Sequence, residues 1–159
     1  MGALIMNAKD EILIVKPAYK DHWSIAGGVV EENESPKTAC LREVKEEIGI
    51  DLKNVKFLCV DYTANKGEKG ESLQFIFFGG KLSESEIIKI RLDKKEIAEF
   101  RFIKIRDSLP LLSERLKMRL PKCLDALTNN IAIYLEGGWV NSRFNCTTFN
   151  IFSNYFIGS

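Results

Sequence analysis

The amino-acid sequence predicts an α+β fold in which a mixed β-sheet is sandwiched between helices. Short runs rich in β-branched and aromatic residues recur through most of the chain, and turn-forming residues separate them. Two segments, residues 35–49 and 108–127, have helical periodicity instead. Strands precede and separate these two helices, which argues against both a helical bundle and an all-β barrel.

The strand candidates follow one another at short intervals. The second candidate ends at Pro17, because proline lacks the N–H group that a sheet needs. The runs 55–64 and 72–82 are joined by the loop NKGEKGE, which is short enough for a hairpin. Within the later run, Gly79-Gly80 predicts a β-bulge. The predicted strands are residues 3–6, 11–19, 55–64, 72–82, 87–92, 100–105 and 131–135.

The first predicted helix begins at Ser35 and ends at Gly49. The serine hydroxyl can cap the free N–H groups of the first turn, and Pro36 suits the first helical position, where its missing N–H would have been unpaired. Gly49 supplies the left-handed conformation that ends many helices. Spacings of three and four residues predict one apolar face, made of Leu41, Val44 and Ile48.

The second predicted helix, residues 108–127, is interrupted or kinked at Pro121. Residues 1–136 form the predicted domain, and residues 137–159 are a tail of different composition with one charged residue, Arg143. This composition fits an added strand, a cover for a hydrophobic edge, a homodimer interface, a disordered appendage or residues foreign to the natural domain. The tail's aromatic residues after Arg143 are Phe144, Phe149, Phe152, Tyr155 and Phe156.

Composition and charge exclude several classes of protein. The formal net charge of the 159 residues is +1, so no excess of positive charge favours nucleic acid or an anionic membrane as a partner. No apolar run reaches the roughly 20 residues that a membrane-spanning helix needs. The four cysteines are scattered and predicted to be free thiols, which suits a reducing compartment. We therefore expect a cytoplasmic protein that binds neither DNA nor membrane. The cysteines are Cys40, Cys59, Cys123 and Cys146.

Carboxylates are concentrated on the first predicted helix and just before it. Glu43, Glu46 and Glu47 fall within an arc of roughly 100° beside the apolar face. Like charges at this spacing repel one another, and a hard cation such as Mg²⁺ would remove the repulsion because it prefers oxygen ligands. Just before the helix, Gly27-Gly28 allows a backbone carbonyl to approach closely. A solvated acidic helix face is the alternative interpretation.

Metal-assisted hydrolysis of a phosphate compound is the chemistry that these residues predict, because carboxylate-bound Mg²⁺ takes substrate phosphates as further ligands and activates water. The spacing strengthens the prediction: residues 28–50 resemble the Nudix box at every defined position, and hence the MutT-like Nudix hydrolases. The matching residues are Gly28, Glu34, Arg42-Glu43-Val44, Glu46-Glu47 and Gly49-Ile50. The segments WSI (23–25) and EIAEFRFI (96–103) also resemble family members.

The resemblance implies a Nudix fold in which the box forms a loop–helix–loop. It also implies a hydrolase that uses Mg²⁺ or Mn²⁺ to cleave a nucleoside diphosphate linked to another group. Carried over by position, Glu46 and Glu47 would be metal ligands, and Glu43 a further ligand or the base that activates water. The Gly27 carbonyl would complete the coordination.

Further roles also follow from the resemblance. Arg42 and Glu34 would form a charge pair that braces the loop and orients the glutamates. A base outside the box is common in the family, and Glu96 or Glu99 could serve, with Glu96 favoured. Many members have proline before the glycine pair, where this chain has Ala26. We expect a less rigid turn there and no loss of a ligand.

The resemblance leaves the substrate open, because residues 64–68 hold neither the proline of ADP-ribose hydrolases nor the tyrosine of dinucleoside polyphosphate hydrolases. We expect a small nucleotide of the NTP, dNTP or ADP-sugar type. Lys16, Lys20 and His22 could contact its phosphates, although each has an ordinary surface role as the alternative. A nucleotide-binding sensor with little turnover is the alternative function. The candidates for stacking a base, otherwise core residues, are Phe75, Phe77 and Phe78.

Overall fold

The computed structural model describes residues 1–64 and 70–139. Six strands form one mixed sheet: β1 Gly2–Asn7, β2 Ile12–Pro17, β3 Lys56–Thr63, β4 Ser72–Leu82, β5 Ile97–Ile103 and β6 Ile133–Glu136. Their order is β5-β2-β1-β4-β3-β6, in which β1–β4 and β3–β6 are parallel and the other pairs antiparallel. The described residues also form the helices α1 Pro36–Ile48, α2 Glu84–Ile87, α3 Ile105–Ser108 and α4 Glu114–Thr128.

Most of the predicted strands are confirmed, and so is the bulge. β3 and β4 pair antiparallel, as the predicted hairpin requires, while residues 65–69 of its loop lie outside the described residues. Between β1 and β4, Leu4 pairs with Phe78 but Ile5 pairs with Gly80, so the register shifts at Gly79. Gly80 has a φ of 94°, which glycine adopts without strain.

The predicted strand at residues 87–92 is wrong. The chain there forms the end of the short helix α2 and a turn, with Ile90 buried and Ile88 exposed. Ser83 and Glu86 cap the helix reciprocally: Ser83 Oγ accepts from the Glu86 N–H at 3.3 Å, and Glu86 Oε2 accepts from the Ser83 N–H at 2.8 Å. The β-branched composition favours a strand, but these local capping bonds decide the conformation.

The second predicted helix is confirmed in its later part only. A 3-10 turn, Leu109–Leu111, comes first, and the chain is extended at Leu112. α4 then runs through Pro121 without interruption, so the predicted break lies at Leu112 instead. Proline removes one intrahelical hydrogen bond, and burial of the helix's apolar face compensates for that loss. The buried apolar residues of α4 are Leu116, Leu120, Cys123 and Ala126.

Both faces of the sheet are covered, so alternate residues of a strand enter different cores. On one face, Ile5 packs in a cluster with Val44 and Ile48 of α1. On the other face, Leu4 packs in a cluster with Leu120 of α4. The predicted arrangement of a mixed sheet between helices is therefore confirmed.

The first residues of the predicted tail are packed against the domain. Gly137 and Gly138 have φ angles of 60° and 82°, as a type I′ turn requires, and this turn leads from β6 to Trp139. The Gly138 N–H donates to Asp61 at 2.9 Å. Residues 140–159, with the tail aromatics named above, lie outside the described residues, so the domain boundary stays a prediction.

The cysteines of the described residues are free thiols, as predicted. They are Cys40, Cys59 and Cys123, whereas Cys146 lies outside the described residues. The Sγ atoms of Cys59 and Cys123 lie 3.3 Å apart, where β3 meets α4. No helix in the described part of the chain has both the length and the hydrophobicity needed to cross a membrane.

Candidate functional site

Helix α1, the helix of the box, begins and ends where the sequence predicts. Ser35 Oγ accepts from the Thr38 N–H at 3.1 Å, and Pro36 is the first helical residue. Gly49 ends the helix with a φ of 73°, and its N–H donates to the Lys45 carbonyl at 3.0 Å. With both ends fixed and its apolar face buried, α1 holds its glutamates on one side.

Arg42 connects the carboxylates of the box. Its Nε and Nη2 donate to the two carboxylate oxygens of Glu34 at 3.0 and 2.9 Å, a bidentate pair. Nη1 donates to Glu43 at 3.1 Å and to Glu46 at 2.9 Å. The hydrogen bonds from Arg42 hold the pKa of Glu34 below its usual value. The predicted contact between Arg42 and Glu34 is therefore present, and the same guanidinium orients two further glutamates.

Glu47 differs from its neighbours because it is buried, with only 7% of its surface exposed. Its Oε2 accepts a hydrogen bond from the Gly27 N–H at 2.8 Å, which links α1 to the loop before it. Burial, reinforced by the nearby charges of Glu43 and Glu96, raises the pKa of Glu47 to about 7. A cation beside this carboxylate would favour its ionised form.

Gly27 and Gly28 bring the backbone loop against the helix. A Cβ atom at Gly28 would overlap the carboxylate of Glu43 and would displace that side chain, whereas a Cβ atom at Gly27 would overlap the backbone carbonyl of Met1. The Gly28 carbonyl accepts from the Met1 amino group at 2.8 Å. The Gly27 carbonyl accepts no hydrogen bond from the described residues, and it is therefore available as a ligand.

Of the two candidate bases outside the box, Glu96 lies beside this group. Its charge contributes to the raised pKa of Glu47, and its backbone carbonyl accepts from the Ala18 N–H at 2.7 Å. Glu99 lies on β5, where its carboxylate accepts from Arg101 Nε at 2.7 Å. The geometry thus favours Glu96 over Glu99.

The donor chemistry of the site fits a hard divalent cation. Glu43, Glu46 and Glu47 supply carboxylate oxygens, and Gly27 supplies a carbonyl. In the described part of the chain, no three acidic, histidine or cysteine side chains are grouped so that they could hold a metal ion. Instead, Glu43 and Glu46 accept from Arg42. Since these carboxylates outnumber the arginine, a cation would relieve their repulsion.

A cavity of about 460 Å³ adjoins the glycine pair. Lys20 and His22 line it from the loop after β2, Gln74 lines it from β4, and Arg115 lines it from α4. The charge of Lys20 also acts on Glu47, where it favours the ionised carboxylate. The cavity, called the cleft below, therefore has cationic side chains in its wall and adjoins the glycine pair that contacts the glutamates of α1.

Four of the sequence candidates have structural roles instead. Lys16 donates through Nζ to the Asp21 carbonyl and does not line the cleft. Phe77 is buried in the core on the α1 side, and Phe75 packs against that core. Phe78 packs against the core on the α4 side. The aromatic candidates are therefore core residues.

Helix α4 contributes cleft residues that the sequence does not predict. Arg115 and Arg119 both line the cleft, and Gln74 faces it from the sheet. Arg119 is buried and donates through Nε and Nη2 to Asp61 at 2.9 and 2.6 Å. A spacing of four along a helix is the sequence signal for the two arginines, and it is too common on exposed helix faces to identify a site.

Comparisons with known proteins identify the family of the chain. The NUDIX domain family matches residues 1–126. An RNA pyrophosphohydrolase from Hydrogenovibrio crunogenus is 32% identical over 117 residues, which cover 63% of this chain and 67% of that protein. A diphosphoinositol polyphosphate phosphohydrolase 3-alpha from Mus musculus is 32% identical over 106 residues, covering 65% and 61%. The chain thus spans about two thirds or less of the length of these relatives.

A solved UDP-X diphosphatase superposes with a TM-score of 0.68 at 27% identity, covering 84% of this chain and 64% of that one. The enzyme class expected from the motif, a hydrolase of phosphorus-containing acid anhydrides, is confirmed at the level of the family. Sequence motif, fold and family match all agree, and the chain belongs to the Nudix family of hydrolases.

Proposed function

We propose that the protein is a metal-dependent pyrophosphohydrolase, in which water attacks the diphosphate of a nucleoside diphosphate linked to another moiety. The position of Glu47 carries this proposal. It is a buried carboxylate without an ion pair among the described residues, and it accepts a hydrogen bond from Gly27, which lines the cleft. Because a buried charge is costly without a partner, this arrangement suits a cation that arrives with the substrate.

The ion, Mg²⁺ or Mn²⁺, would be held by Glu43, Glu46, Glu47 and the Gly27 carbonyl. When bound, it would polarise phosphoryl oxygens and neutralise developing charge. Arg42 keeps Glu43 and Glu46 oriented toward the same side of α1. The brace formed by Glu34 holds Arg42 itself in place through two hydrogen bonds.

Glu96 is the proposed base that accepts the proton of the attacking water. Its charge acts on Glu47, so it lies near the proposed metal ligands. Its carboxylate has no hydrogen-bond partner among the described residues, whereas the carboxylate of Glu43 accepts from Arg42. A free carboxylate can reach a water molecule without first giving up another bond.

A small nucleotide, of the NTP, dNTP or ADP-sugar type, is the proposed substrate. Lys20, His22 and Arg115 line the cleft and would bind its phosphates by charge and hydrogen bonds. The near-neutral net charge supports the expectation that DNA is not a partner. The free thiols support a cytoplasmic location, and a homodimer stays part of the proposal.

The test is release of phosphate or pyrophosphate from a panel of nucleotides, measured with and without Mg²⁺. The panel holds NTPs, dNTPs, oxidised dGTP, ADP-ribose, nucleotide sugars and diadenosine polyphosphates. We expect metal-dependent turnover of at least one member, and its loss in Glu46→Gln. Nucleotide binding without turnover of any member would contradict the proposal and favour a sensor.

A further inference from the structure

A second cavity, of about 470 Å³, lies next to the cleft on the other side of Arg115. Tyr62 and Thr63 line it from the end of β3, Met118 lines it from α4, and Trp139 lines it from the turn after β6. Arg115 lines both cavities. It has no ion-pair partner among the described residues, so its charge is available to a ligand that crosses from one cavity to the other.

Trp139 is an exposed aromatic residue on a turn whose backbone is held by hydrogen bonds. Its side chain is 67% exposed, although tryptophan is usually well buried in a folded domain. Its backbone N–H and carbonyl both bond to Glu136 across the turn, at 3.1 and 2.9 Å. The turn is tied to β3 because the Gly137 N–H donates to the Tyr62 carbonyl at 2.7 Å and the Gly138 N–H donates to Asp61 at 2.9 Å.

The surroundings of Trp139 hold charges of both signs, because Glu136 lines the same cavity as Arg115 and Lys122 lies beside the indole ring. The Lys122 Nζ lies 4.9 Å from the centroid of the indole ring and also donates to the Gly138 carbonyl. A cation at this distance is attracted to an aromatic ring. Thr63 is 5% exposed, and its hydroxyl has no hydrogen-bond partner among the described residues. Such a group is costly to bury, and a polar ligand atom could satisfy it.

We propose that this second cavity binds a second nucleobase of the substrate, stacked on Trp139, while Arg115 contacts the phosphate that joins the base to the cleft. The inference rests on the proposed function in one respect, since it places the substrate phosphates in the cleft. A dinucleoside polyphosphate and the 5′ end of a triphosphorylated RNA both present such a base.

Steady-state kinetics test this subsite with three substrates: ATP, diadenosine tetraphosphate and a 5′-triphosphorylated dinucleotide RNA. Because stacking of a base on an aromatic side chain contributes substantially to binding, we expect Trp139→Ala to raise KM about tenfold for a two-base substrate. We expect the KM for ATP to stay unchanged and Trp139→Phe to restore most of the affinity. The two-base substrate whose KM rises in Trp139→Ala shows whether the second base is joined as in a dinucleoside polyphosphate or as in RNA.

Ile88→Ala is the matched control, because Ile88 is also a large exposed apolar residue and lines neither cavity. The melting temperature of each variant separates loss of binding from loss of folding. An equal rise in KM for ATP and for the two-base substrates, or no rise for any of them, would overturn the proposal.

Tryptophan fluorescence tests the same contact without turnover. The chain has two tryptophans, and the other one, Trp23, is 7% exposed. In Glu46→Gln with Mg²⁺, we expect a two-base ligand to quench emission and ATP to leave it unchanged. Adding Trp139→Phe should abolish the quenching.

The two readouts also separate this inference from the proposed function. Selective quenching without hydrolysis of any substrate would support the subsite and contradict the enzymatic proposal. Hydrolysis of two-base substrates while Trp139 emission stays insensitive to every ligand would support the enzyme and overturn the subsite.

Discussion

Two arginines bind carboxylates in this protein, and they do so in opposite ways. Arg42 is partly exposed and donates to three glutamates of the box and the loop before it. Arg119 is buried and donates to one fully buried carboxylate, that of Asp61. Positive and negative charge balance in the second cluster, whereas negative charge exceeds positive charge in the first.

The difference supports the proposed role of the Arg42 cluster. The pair of Arg119 and Asp61 satisfies its own charges and joins α4 to β3, so it needs no further ligand. The cluster around Arg42 has surplus carboxylates and adjoins the buried Glu47. Charge imbalance, rather than the number of carboxylates, distinguishes the proposed cation site from a structural ion pair. The following predictions test this contrast.

The largest expected effect is on catalysis, from Glu47→Gln. The amide keeps an oxygen that can accept from the Gly27 N–H but loses the charge that a metal needs. Because metal ions supply several kcal/mol of transition-state stabilisation, we expect kcat/KM to fall about a thousandfold or more. Glu32→Gln is the matched control: Glu32 is exposed, and we expect activity within a factor of two.

Substitution in the buried pair of Arg119 and Asp61 should lower the stability of the protein instead. Asp61→Ala leaves the Arg119 guanidinium buried without its partner, so we expect the free energy of unfolding to fall by about 3–5 kcal/mol. Urea unfolding measures this change, with Asp125→Ala on the exposed side of α4 as control. A loss below about 1 kcal/mol would contradict the interpretation of this pair as a structural element.

The metal-free protein should lose stability as pH rises through the range set by Glu47. The folded pKa is about 7 and the ordinary value is 4.5, so the folded state binds more protons between these values. Stability therefore falls as pH rises from 4.5 to 7. Glu47→Gln removes this dependence, and in a chelator we expect it to be more stable than wild type by up to roughly 3 kcal/mol near neutral pH.

Thermal unfolding across that pH range measures the difference. The two proteins should have similar stability near pH 4.5, where the wild-type Glu47 is protonated in the folded state. A stability difference between the two proteins that is independent of pH would show that Glu47 is not the titrating group.

A substitution at Arg42 should lower the activity strongly and change the stability little. Arg42→Lys keeps the charge but loses the bidentate contact to Glu34 and the simultaneous contacts to Glu43 and Glu46. Loss of such an orienting residue costs about 10- to 100-fold in activity. We expect the free energy of unfolding to change by less than about 1 kcal/mol, because these ion pairs are partly exposed. A loss of stability without a loss of activity would contradict the contrast between the two arginine clusters.

The smallest expected effect is a difference in KM between substitutions of two lysines near the box. Lys20 lines the cleft, whereas Lys16 donates to the Asp21 carbonyl outside it. We expect Lys20→Ala to raise KM about fivefold, since an exposed ion pair contributes up to about 1 kcal/mol. Lys16→Ala should leave KM unchanged. Equal effects of the two substitutions would argue against a phosphate contact at Lys20.

Much of the fold and part of the site could be predicted from sequence because the signals are local. The caps at Ser35 and Gly49 act within one turn of the helix, so α1 could be located closely. The contact of Arg42 with Glu34 also lies within one loop and its helix. The segment 87–92 could not be predicted by composition, because two capping bonds outside the β-branched run decide its conformation.

The sequence by itself determined the carboxylates, their spacing and the ends of the helix that holds them. Only the tertiary structure decided that Glu47 is buried while its neighbour Glu46 is exposed. It also brought Arg115 and Trp139, which no motif marks, to a common cavity. The physical reason is that helix ends and side-chain spacing depend on neighbours in the chain, whereas burial and charge balance depend on which elements pack together.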